Sequence, residues 1–460
     1  MRLALLVFFA ATTPTPASRS AAHATLVSSE PAANSRLAAS PSRIRLVYSE
    51  PVEGSLARVT IVPASGPPIQ LRAGGDPRNV NAVIAVVDSL AGGAYRVNWR
   101  VVSADGHPVD GTFTFAIGDT TLGAAPMPVP ESAVVAEPEH EPEPEATTED
   151  DVWGPSVFGA PLIPALFRGA ALGALMAAAG LLFFHRRSGP NATQARDGRV
   201  RTIVTTAVVA APVLLAAHVV TWLINTSPDH TFDMAWSSAA MGTTVGQVEL
   251  WRIGLAVLAL WAWWIARRAG LALLFAAGAL AVSGATGHSA AMVPLLSIPA
   301  KAIHLLASGV WLGGLLWLVA RPRNDTTECF CVDANRVSGA ALVAVIAVAL
   351  TGAVQTLTFL PSVRDVLTSP YGWLALAKTG GLLVLVGFGA YHRQRVMPRL
   401  AAARAMSGAA GMGSCILMRT SVRKELAVMA VVILLGGLLA YVPPPGEGDD
   451  LSTSAQSPTS

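Results

Sequence analysis

Charged residues are scarce in this sequence. Lys, Arg, Asp and Glu make up 13% of its 460 residues, whereas a soluble globular protein contains about 25%. Hydrophobic residues account for 52%, and the mean hydropathy is +0.50. This composition excludes a purely soluble enzyme and an intrinsically disordered chain, and it indicates an integral membrane protein.

Cysteine is also rare. The chain has three, Cys329, Cys331 and Cys415, which are too few for a disulfide scaffold, and none precedes residue 150. An exported domain in that region must therefore fold without disulfides. A Walker-type phosphate loop is absent as well, which argues against direct ATP hydrolysis. The formal net charge of +3 is too small to indicate a nucleic-acid partner.

Residues 1–22 have the organisation of a secretory signal peptide. A charged start is followed by an apolar run at 3–11 and by small residues that end at Ala22. We predict cleavage after Ala22, which makes His23 the mature N-terminus. The alternatives are cleavage at another position and retention of the segment as an anchor.

The next region, residues 23–118, is predicted to be an all-β domain. Short alternating runs are separated by Gly, Pro, Asn and Asp clusters, a pattern typical of an antiparallel sandwich. The runs are 44–48, 58–62, 82–87, 95–102 and 112–117. Residues 119–152 are rich in Pro and Glu and are predicted to be an extended linker.

Residues 153–443 are predicted to be an all-α, polytopic membrane domain. Eight apolar segments are each long enough to span a bilayer. They are approximately 158–184, 202–224, 247–266, 269–287, 300–320, 338–359, 372–391 and 424–442. Residues 444–460 are predicted to be a disordered tail.

The loops between these segments predict the orientation. With the β domain outside, the outer loops contain only Lys301 and Arg364, and the other loop Lys and Arg residues are inside. The positive-inside rule therefore places the N-terminal domain outside the cytoplasmic membrane. An even number of spans places the tail there too.

Most tryptophans of the spans, among them Trp222, Trp236, Trp251 and Trp311, are predicted to be interface anchors.

Three features of residues 23–118 predict a metal site. A mature N-terminal His23 offers its amine and its imidazole to one ion. Asp105 and His107 are two residues apart in a strand-to-turn segment, so both side chains can reach the same ion. Such a tetragonal set of nitrogen and oxygen ligands favours Cu(II), and the absence of Met and Cys from 23–118 argues against a soft Cu(I) site. The alternatives are an ordinary Asp-Gly turn and a surface histidine.

Three segments carry a family resemblance: His23-Ala-Thr-Leu-Val-Ser-Ser-Glu-Pro, Leu46-Val-Tyr-Ser-Glu-Pro-Val and Asp105-Gly-His-Pro-Val-Asp-Gly-Thr-Phe. They resemble the CopC family of periplasmic copper-binding proteins over the whole of 23–118. The resemblance implies a Greek-key β-sandwich with His23, Asp105 and His107 as Cu(II) ligands and Glu50 as a nearby acidic residue. The Met-rich Cu(I) loop of some members is absent, which implies a Cu(II)-only version.

Few ionisable residues lie in the predicted spans, and such residues are functional candidates. His218, His288 and His304 are predicted on the outer side of the bilayer, where they line one entry for copper. Met292 near them adds a thioether that suits Cu(I). The alternatives are helix–helix hydrogen bonds for the histidines and simple packing for the methionine.

Four more ionisable residues lie in or at the spans: Arg168, Glu249, Arg252 and Lys378. Glu249 and Arg252 are three residues apart on one helical face and are expected to pair.

The membrane region also carries a resemblance. The segments Thr286-Gly-His-Ser-Ala-Ala, Lys301-Ala-Ile-His-Leu-Leu-Ala-Ser-Gly-Val-Trp-Leu-Gly-Gly-Leu and Thr368-Ser-Pro-Tyr-Gly-Trp are similar to the CopD family of inner-membrane copper proteins. The similarity covers roughly 160–442 and implies a multi-span protein associated with copper uptake. Among the residues of these motifs, the resemblance implies a role in copper handling for His288 and His304.

Together these patterns predict a multi-pass protein of the bacterial cytoplasmic membrane that is not an enzyme. It captures Cu(II) outside and takes copper inward, with Cu(I) as the form in the membrane path. The predicted partners are copper ions, the lipid bilayer, an external reductase and a cytoplasmic copper acceptor. The alternatives are copper sequestration without transport, a haem-binding membrane redox protein, and oxidative chemistry at the N-terminal histidine.

Overall fold

The computed structural model describes residues 24–103, 106, 108–118, 156–157, 160–187, 194–286, 294–322, 326–359, 363–405 and 409–442. Within these ranges a β-sandwich is followed by a helical domain. The predicted fold class, a β-sandwich joined to an all-α membrane domain, is therefore confirmed.

The sandwich is built from two sheets. One has the strand order β1-β3-β7-β6, and the other has the order β2-β9-β8-β4-β5. The strands are β1 Leu26–Glu30, β2 Ser35–Leu37, β3 Arg43–Tyr48, β4 Arg58–Pro63, β5 Ile69–Gln70, β6 Arg72–Asp76, β7 Asn79–Val86, β8 Gly93–Val102 and β9 Pro108–Ile117. Neighbouring strands are antiparallel except for β2 and β9, which run parallel.

Alternation of side chains creates the core of the sandwich. In β3 the buried residues are Ile44, Leu46 and Tyr48, every second position, and the residues between them are exposed or half-buried. Trp99 of β8 packs edge-to-face on Tyr48 with ring centroids 5.3 Å apart. The five runs predicted from the sequence correspond to β3, β4, β7, β8 and β9, and the other four strands were not predicted.

Eleven α-helices are described in the helical domain. They are α1 Leu162–Arg187, α2 Gln194–Thr226, α3 Met234–Met241, α4 Thr244–Trp264, α5 Ala269–Val282, α6 Pro294–Ala320, α7 Thr327–Phe359, α8 Val363–Thr368, α9 Pro370–Tyr391, α10 Met397–Ala405 and α11 Ala409–Leu439. A π-helical turn, His392–Val396, joins α9 to α10. Helix α1 packs against α2, α5, α6 and α11, and so lies at the centre of the bundle.

Glycines allow α1 to approach its neighbours closely. A β-carbon on Gly180 of α1 would collide with the backbone of α6 at Gly309 and Gly313. One on Gly437 of α11 would collide with α1 at Ala165 and Gly169. Small residues bring helix backbones together in this way where a bilayer offers no hydrophobic drive for association.

The predicted number of eight spans is not confirmed. Six helices are long and apolar enough to cross a membrane by length and composition. The predicted fourth span, 269–287, corresponds to α5, which has only 14 residues and ends in a short 3₁₀ turn. The predicted eighth span, 424–442, falls in α11, which has 31 residues and begins at Ala409. The charged residues in its middle interrupt the apolar stretch.

Candidate metal site at the domain junction

The sandwich rests on the helical domain through a shared apolar cluster. Leu56 and Val102 of the sandwich pack against side chains from α2, α3 and α4. Those partners are Val219, Trp222, Leu223, Trp236, Ala240 and Val245. Because these side chains are buried together, the sandwich is held directly against the helices, in addition to the covalent connection.

Polar contacts fix the orientation of this interface. Oε1 of Glu53 accepts a hydrogen bond from the backbone N–H of Thr244, with a distance of 3.0 Å. Thr244 is the first residue of α4, where free N–H groups and the helix dipole favour a carboxylate. The Arg58 guanidinium lies 5.8 Å from the centroid of the Trp236 ring, a cation–π contact.

The turn between β8 and β9 contacts the helical domain at Gly106. Its carbonyl accepts a hydrogen bond of 3.1 Å from the indole Nε1 of Trp222. Its own N–H donates to the carbonyl of Ser103 at 2.9 Å. Gly106 has a φ of +92°, and a β-carbon there would lie 3.2 Å from Val245. Glycine is therefore required both by the left-handed backbone and by the close approach to α4.

The predicted ligands themselves, His23, Asp105 and His107, lie outside the described residues. Their described neighbours converge on one end of the sandwich. The N–H of Thr25 donates to Oγ of Ser49 at 3.1 Å, and Ser103 pairs with Val52 in an isolated bridge. The segment that follows β3 thus touches both the start of the domain and the strand end before Asp105.

Glu50 lies in this same segment and is 5% exposed. It follows Ser49, which contacts Thr25, and precedes Val52, which pairs with Ser103, and its place near the metal stays a prediction. Tyr48 precedes it by two residues, and burial raises the pKa of its phenol far above the usual range. Tyr48 therefore remains neutral at physiological pH.

One membrane candidate lies directly below this junction. His218 precedes Trp222 by one turn of α2, or about 6 Å along the helix axis. It is 2% exposed, and its Nε2 lies 3.9 Å from Oε1 of Glu249 on α4. Its Nδ1 has no hydrogen-bond partner among the described residues. The expected pair of Glu249 with Arg252 is confirmed.

Further cations surround the carboxylate of Glu249. Arg168 and Arg252 act electrostatically on both His218 and Lys301, and Lys378 acts on Lys301 and His304. The Lys301 ammonium donates to the backbone carbonyl of Thr286. Among the described residues, cations therefore outnumber carboxylates in the cluster around Glu249.

His304 has a specific partner on a neighbouring helix. Its Nδ1 lies 3.0 Å from Oγ1 of Thr351 on α7. This is the helix–helix hydrogen bond of the alternative interpretation, and it leaves Nε2 as the nitrogen for any ligand. His288 and Met292, the other two candidates of the predicted path, lie outside the described residues. Among the described residues no three His, Cys, Asp or Glu side chains form a metal site.

The prediction that the tryptophans anchor the bilayer interface is wrong for three of the four. Trp222, Trp236 and Trp311 are buried, whereas Trp251 is 64% exposed. Each buried indole donates its N–H to an internal acceptor, namely Gly106, Thr226 and Glu425 respectively. A buried indole needs such an acceptor, and the sequence alone does not reveal which tryptophans have one.

Family models cover both parts of the chain. The CopC domain matches residues 26–118, the copper resistance protein D-like N-terminal domain matches 160–298, and copper resistance protein D matches 333–439. The chain is a fused member of the CopC and CopD families.

Individual proteins are similar to this chain over most or part of its length. Copper transport protein CutJ of Bacillus subtilis is 24% identical over 396 residues, which are 81% of this chain and 68% of that protein. Copper resistance protein C of Pseudomonas syringae pv. tomato is 38% identical over 105 residues, which are 21% of this chain and 81% of that protein. CopC of Methylosinus trichosporium OB3b, a solved structure, is 30% identical, with a TM-score of 0.20 and coverage of 22% of this chain and 98% of that one.

In this CopC–CopD fusion, sequence reasoning missed the residues that join the domains. Glu53 and Arg58 are ordinary surface charges by pattern, and only the fold brings them to α4 and Trp236. It also missed His392 and Glu425. They lie at the adjoining ends of the predicted seventh and eighth spans, beside an arginine-rich loop, and the sequence does not show that they approach each other.

Proposed function

We propose that this CopC–CopD fusion captures Cu(II) outside the cytoplasmic membrane and delivers copper inward through its helical domain. His23, Asp105 and His107 hold the ion in the sandwich, with Glu50 beside them. The copper then passes to His218 and along His288, Met292 and His304 as Cu(I). An external reductase supplies the electron, and a cytoplasmic acceptor takes the ion. The chain is a transporter and not an enzyme.

The hydrogen bond between Trp222 and Gly106 is the observation that carries this proposal. Gly106 lies between two proposed copper ligands, and Trp222 lies one helical turn from His218. A copper ion that leaves the Asp105–His107 turn therefore meets the membrane domain first at α2. The abundance of Lys and Arg in the opposite loops supports an orientation with this end of α2 outside the cytoplasm.

The surrounding cations favour a transfer between ligands over passage of a free ion. Arg168, Arg252 and Lys301 repel a bare copper cation in a medium of low dielectric constant. A neutral imidazole such as His218, with one ring nitrogen unpartnered among the described residues, provides a ligand that offsets this repulsion.

The direct test measures cytoplasmic copper at limiting external copper. We expect cells that produce the intact chain to accumulate more copper than cells without it, and the His288→Ala, His304→Ala double variant to lose that gain. Thr351→Val is the matched control, because it removes the hydrogen bond to His304 but leaves its imidazole. A Thr351→Val variant that loses uptake as fully as the double variant would assign His304 to helix packing.

Two other outcomes separate the rival functions. Unchanged cellular copper, despite normal insertion and copper binding by the purified chain, would support sequestration outside the cytoplasm. A haem absorption spectrum in the purified chain would support a membrane redox protein.

We also predict an effect of Trp222→Phe on transfer. The ring is retained but the hydrogen bond to Gly106 is lost, so copper uptake falls while Cu(II) affinity in the sandwich changes little. A net loss of about 1 kcal/mol for one hydrogen bond corresponds to an approximately fivefold effect. The measurement is copper uptake beside equilibrium Cu(II) titration. Trp251→Phe, on the exposed face of α4, is the control, and equal loss in both variants would contradict a role for the Trp222 contact.

A further inference from the structure

A second buried histidine–carboxylate pair lies at the other end of the bundle. Nδ1 of His392 is 3.3 Å from Oε2 of Glu425 on α11. Nε2 of the same imidazole is 2.8 Å from Oγ of Ser421, and Oε1 of Glu425 accepts a bond of 3.0 Å from the indole of Trp311. Four side chains thus follow one another from α11 through His392 to α6, with hydrogen bonds at both ends and an ion-pair distance between His392 and Glu425.

Burial and backbone geometry distinguish this chain from an ordinary surface network. Glu425 is 1% exposed, and no Lys or Arg side chain forms an ion pair with it among the described residues. His392 begins the π-helical turn between α9 and α10. Such turns are uncommon and occur frequently at functional sites. Buried carboxylates beside histidines in membrane proteins occur in proton relays.

A cavity adjoins this chain of side chains. It has a volume of about 450 Å³ and is lined by side chains of α9 and α11, among them Ser421, Thr420, Tyr391 and Lys424. The hydroxyl of Ser421 therefore links the cavity to the imidazole. Lys424 and Tyr391 are the titratable groups that line the cavity, and the rings of Phe388 and Tyr391 contact His392.

We propose that Ser421, His392 and Glu425 form a proton relay, and that inward movement of copper displaces one proton from Glu425 into the cavity. The relay depends only on the positions of these three side chains, whereas its coupling to copper rests on the proposed function. Trp311 provides the link, because it lies two turns after His304 on α6. The cavity lies at the arginine-rich end of the bundle, which faces the cytoplasm in the proposed orientation.

The relay transfers one proton between the cavity and Glu425. In the loading direction, a hydronium ion in the cavity gives a proton to the Ser421 hydroxyl and becomes water, as that hydroxyl gives its own proton to Nε2 of His392. Nδ1 of His392 then gives its proton to the Glu425 carboxylate. The imidazole ends neutral in its other tautomer, and the carboxylate becomes a carboxylic acid. A copper ion that nears α6 favours the ionised carboxylate, so the same steps run in reverse.

Infrared difference spectroscopy on the full chain in lipid vesicles tests the relay without copper. We expect a carboxylic-acid carbonyl band that grows as the pH falls and is absent in Glu425→Gln. A Ser421→Ala variant should retain the band but exchange its proton more slowly after a pH jump. Thr420→Val, which changes the neighbouring residue of the same cavity, should behave as the parent. A parent spectrum without a band that depends on Glu425 would overturn the relay.

Copper uptake into the same vesicles, with Cu(I) as the probe, tests the coupling. Acidification on the cavity side should slow uptake by the parent chain, by up to about tenfold per pH unit. Glu425→Gln should be slow and insensitive to that pH. Equal pH responses of the parent and Glu425→Gln would overturn the coupling. If the parent moves no copper at all, the proposed function fails, and the infrared result alone decides the relay.

Discussion

His107→Ala is expected to lower the Cu(II) affinity of the purified chain by roughly 100-fold or more. Loss of a residue that merely orients a ligand costs 10–100-fold in metal affinity, and His107 is proposed as a ligand itself. A 100-fold loss corresponds to about 2.8 kcal/mol. The measurement is a competition titration with a Cu(II) chelator, with electron paramagnetic resonance to report the loss of one nitrogen ligand.

Two companion variants make this expectation specific. His140→Ala changes another histidine of the N-terminal half, in the Glu- and Pro-rich segment, and should leave the affinity unchanged. One additional alanine before His23 should weaken binding, because it moves the free amine away from the imidazole. An His107→Ala chain that binds Cu(II) as tightly as the parent would contradict the proposed ligand set.

Asp333→Ala is expected to lower the free energy of unfolding by about 3–5 kcal/mol, the usual cost when one partner of a buried ion pair is removed. Asp333 on α7 accepts hydrogen bonds from the guanidinium of Arg321 and the indole of Trp317. Arg321 is 0% exposed, so the variant leaves a buried cation without its carboxylate. Thermal unfolding of the detergent-solubilised chain measures the loss.

Arg336→Ala is the matched control for that experiment. Its guanidinium lies 3.5 Å from the other oxygen of Asp333, but its side chain is 52% exposed. Exposed pairs contribute about 0–1 kcal/mol. Similar destabilisation by Asp333→Ala and Arg336→Ala would show that the buried pair with Arg321 contributes no more to the free energy of unfolding than the exposed pair with Arg336.

The regular elements were predictable where one periodicity dominates. The alternation of Ile44, Leu46 and Tyr48 identified β3, because a two-residue period with one buried face has no helical interpretation. Strands β2 and β5 were missed because two or three residues are too short to establish a period, and β1 and β6 were missed because their side chains do not alternate regularly between buried and exposed. The boundaries of α11 were missed because Arg423, Lys424 and Glu425 interrupt its apolar stretch, although the helix continues through them.

The candidate site was predictable only in part, because its ligands are defined by motif and its surroundings by tertiary contact. The pairing of Glu249 with Arg252 follows from helical spacing. The approach of Glu249 to His218 does not, since it depends on how α2 packs on α4. The same holds for Trp222, whose acceptor lies 116 residues away in the chain.

The contact of Trp222 with Gly106 joins the proposed copper-binding turn to the helical domain, so the linkage between copper binding and docking can be measured through it, with an expected affinity ratio close to one. If a bound ion strengthens docking by some factor, docking strengthens the hold on the ion by the same factor, whatever path connects the two. The Cu(II) affinity of the parent chain divided by that of the Trp222→Phe chain therefore measures how strongly the bound ion affects docking. A ratio above one would mean that the sandwich binds copper more tightly when it is docked on the helical domain. Release of the ion would then require undocking of the sandwich or competition from ligands of the helical domain. A ratio below one would mean that docking lowers the affinity of the sandwich for copper where the ion is transferred to the helical domain.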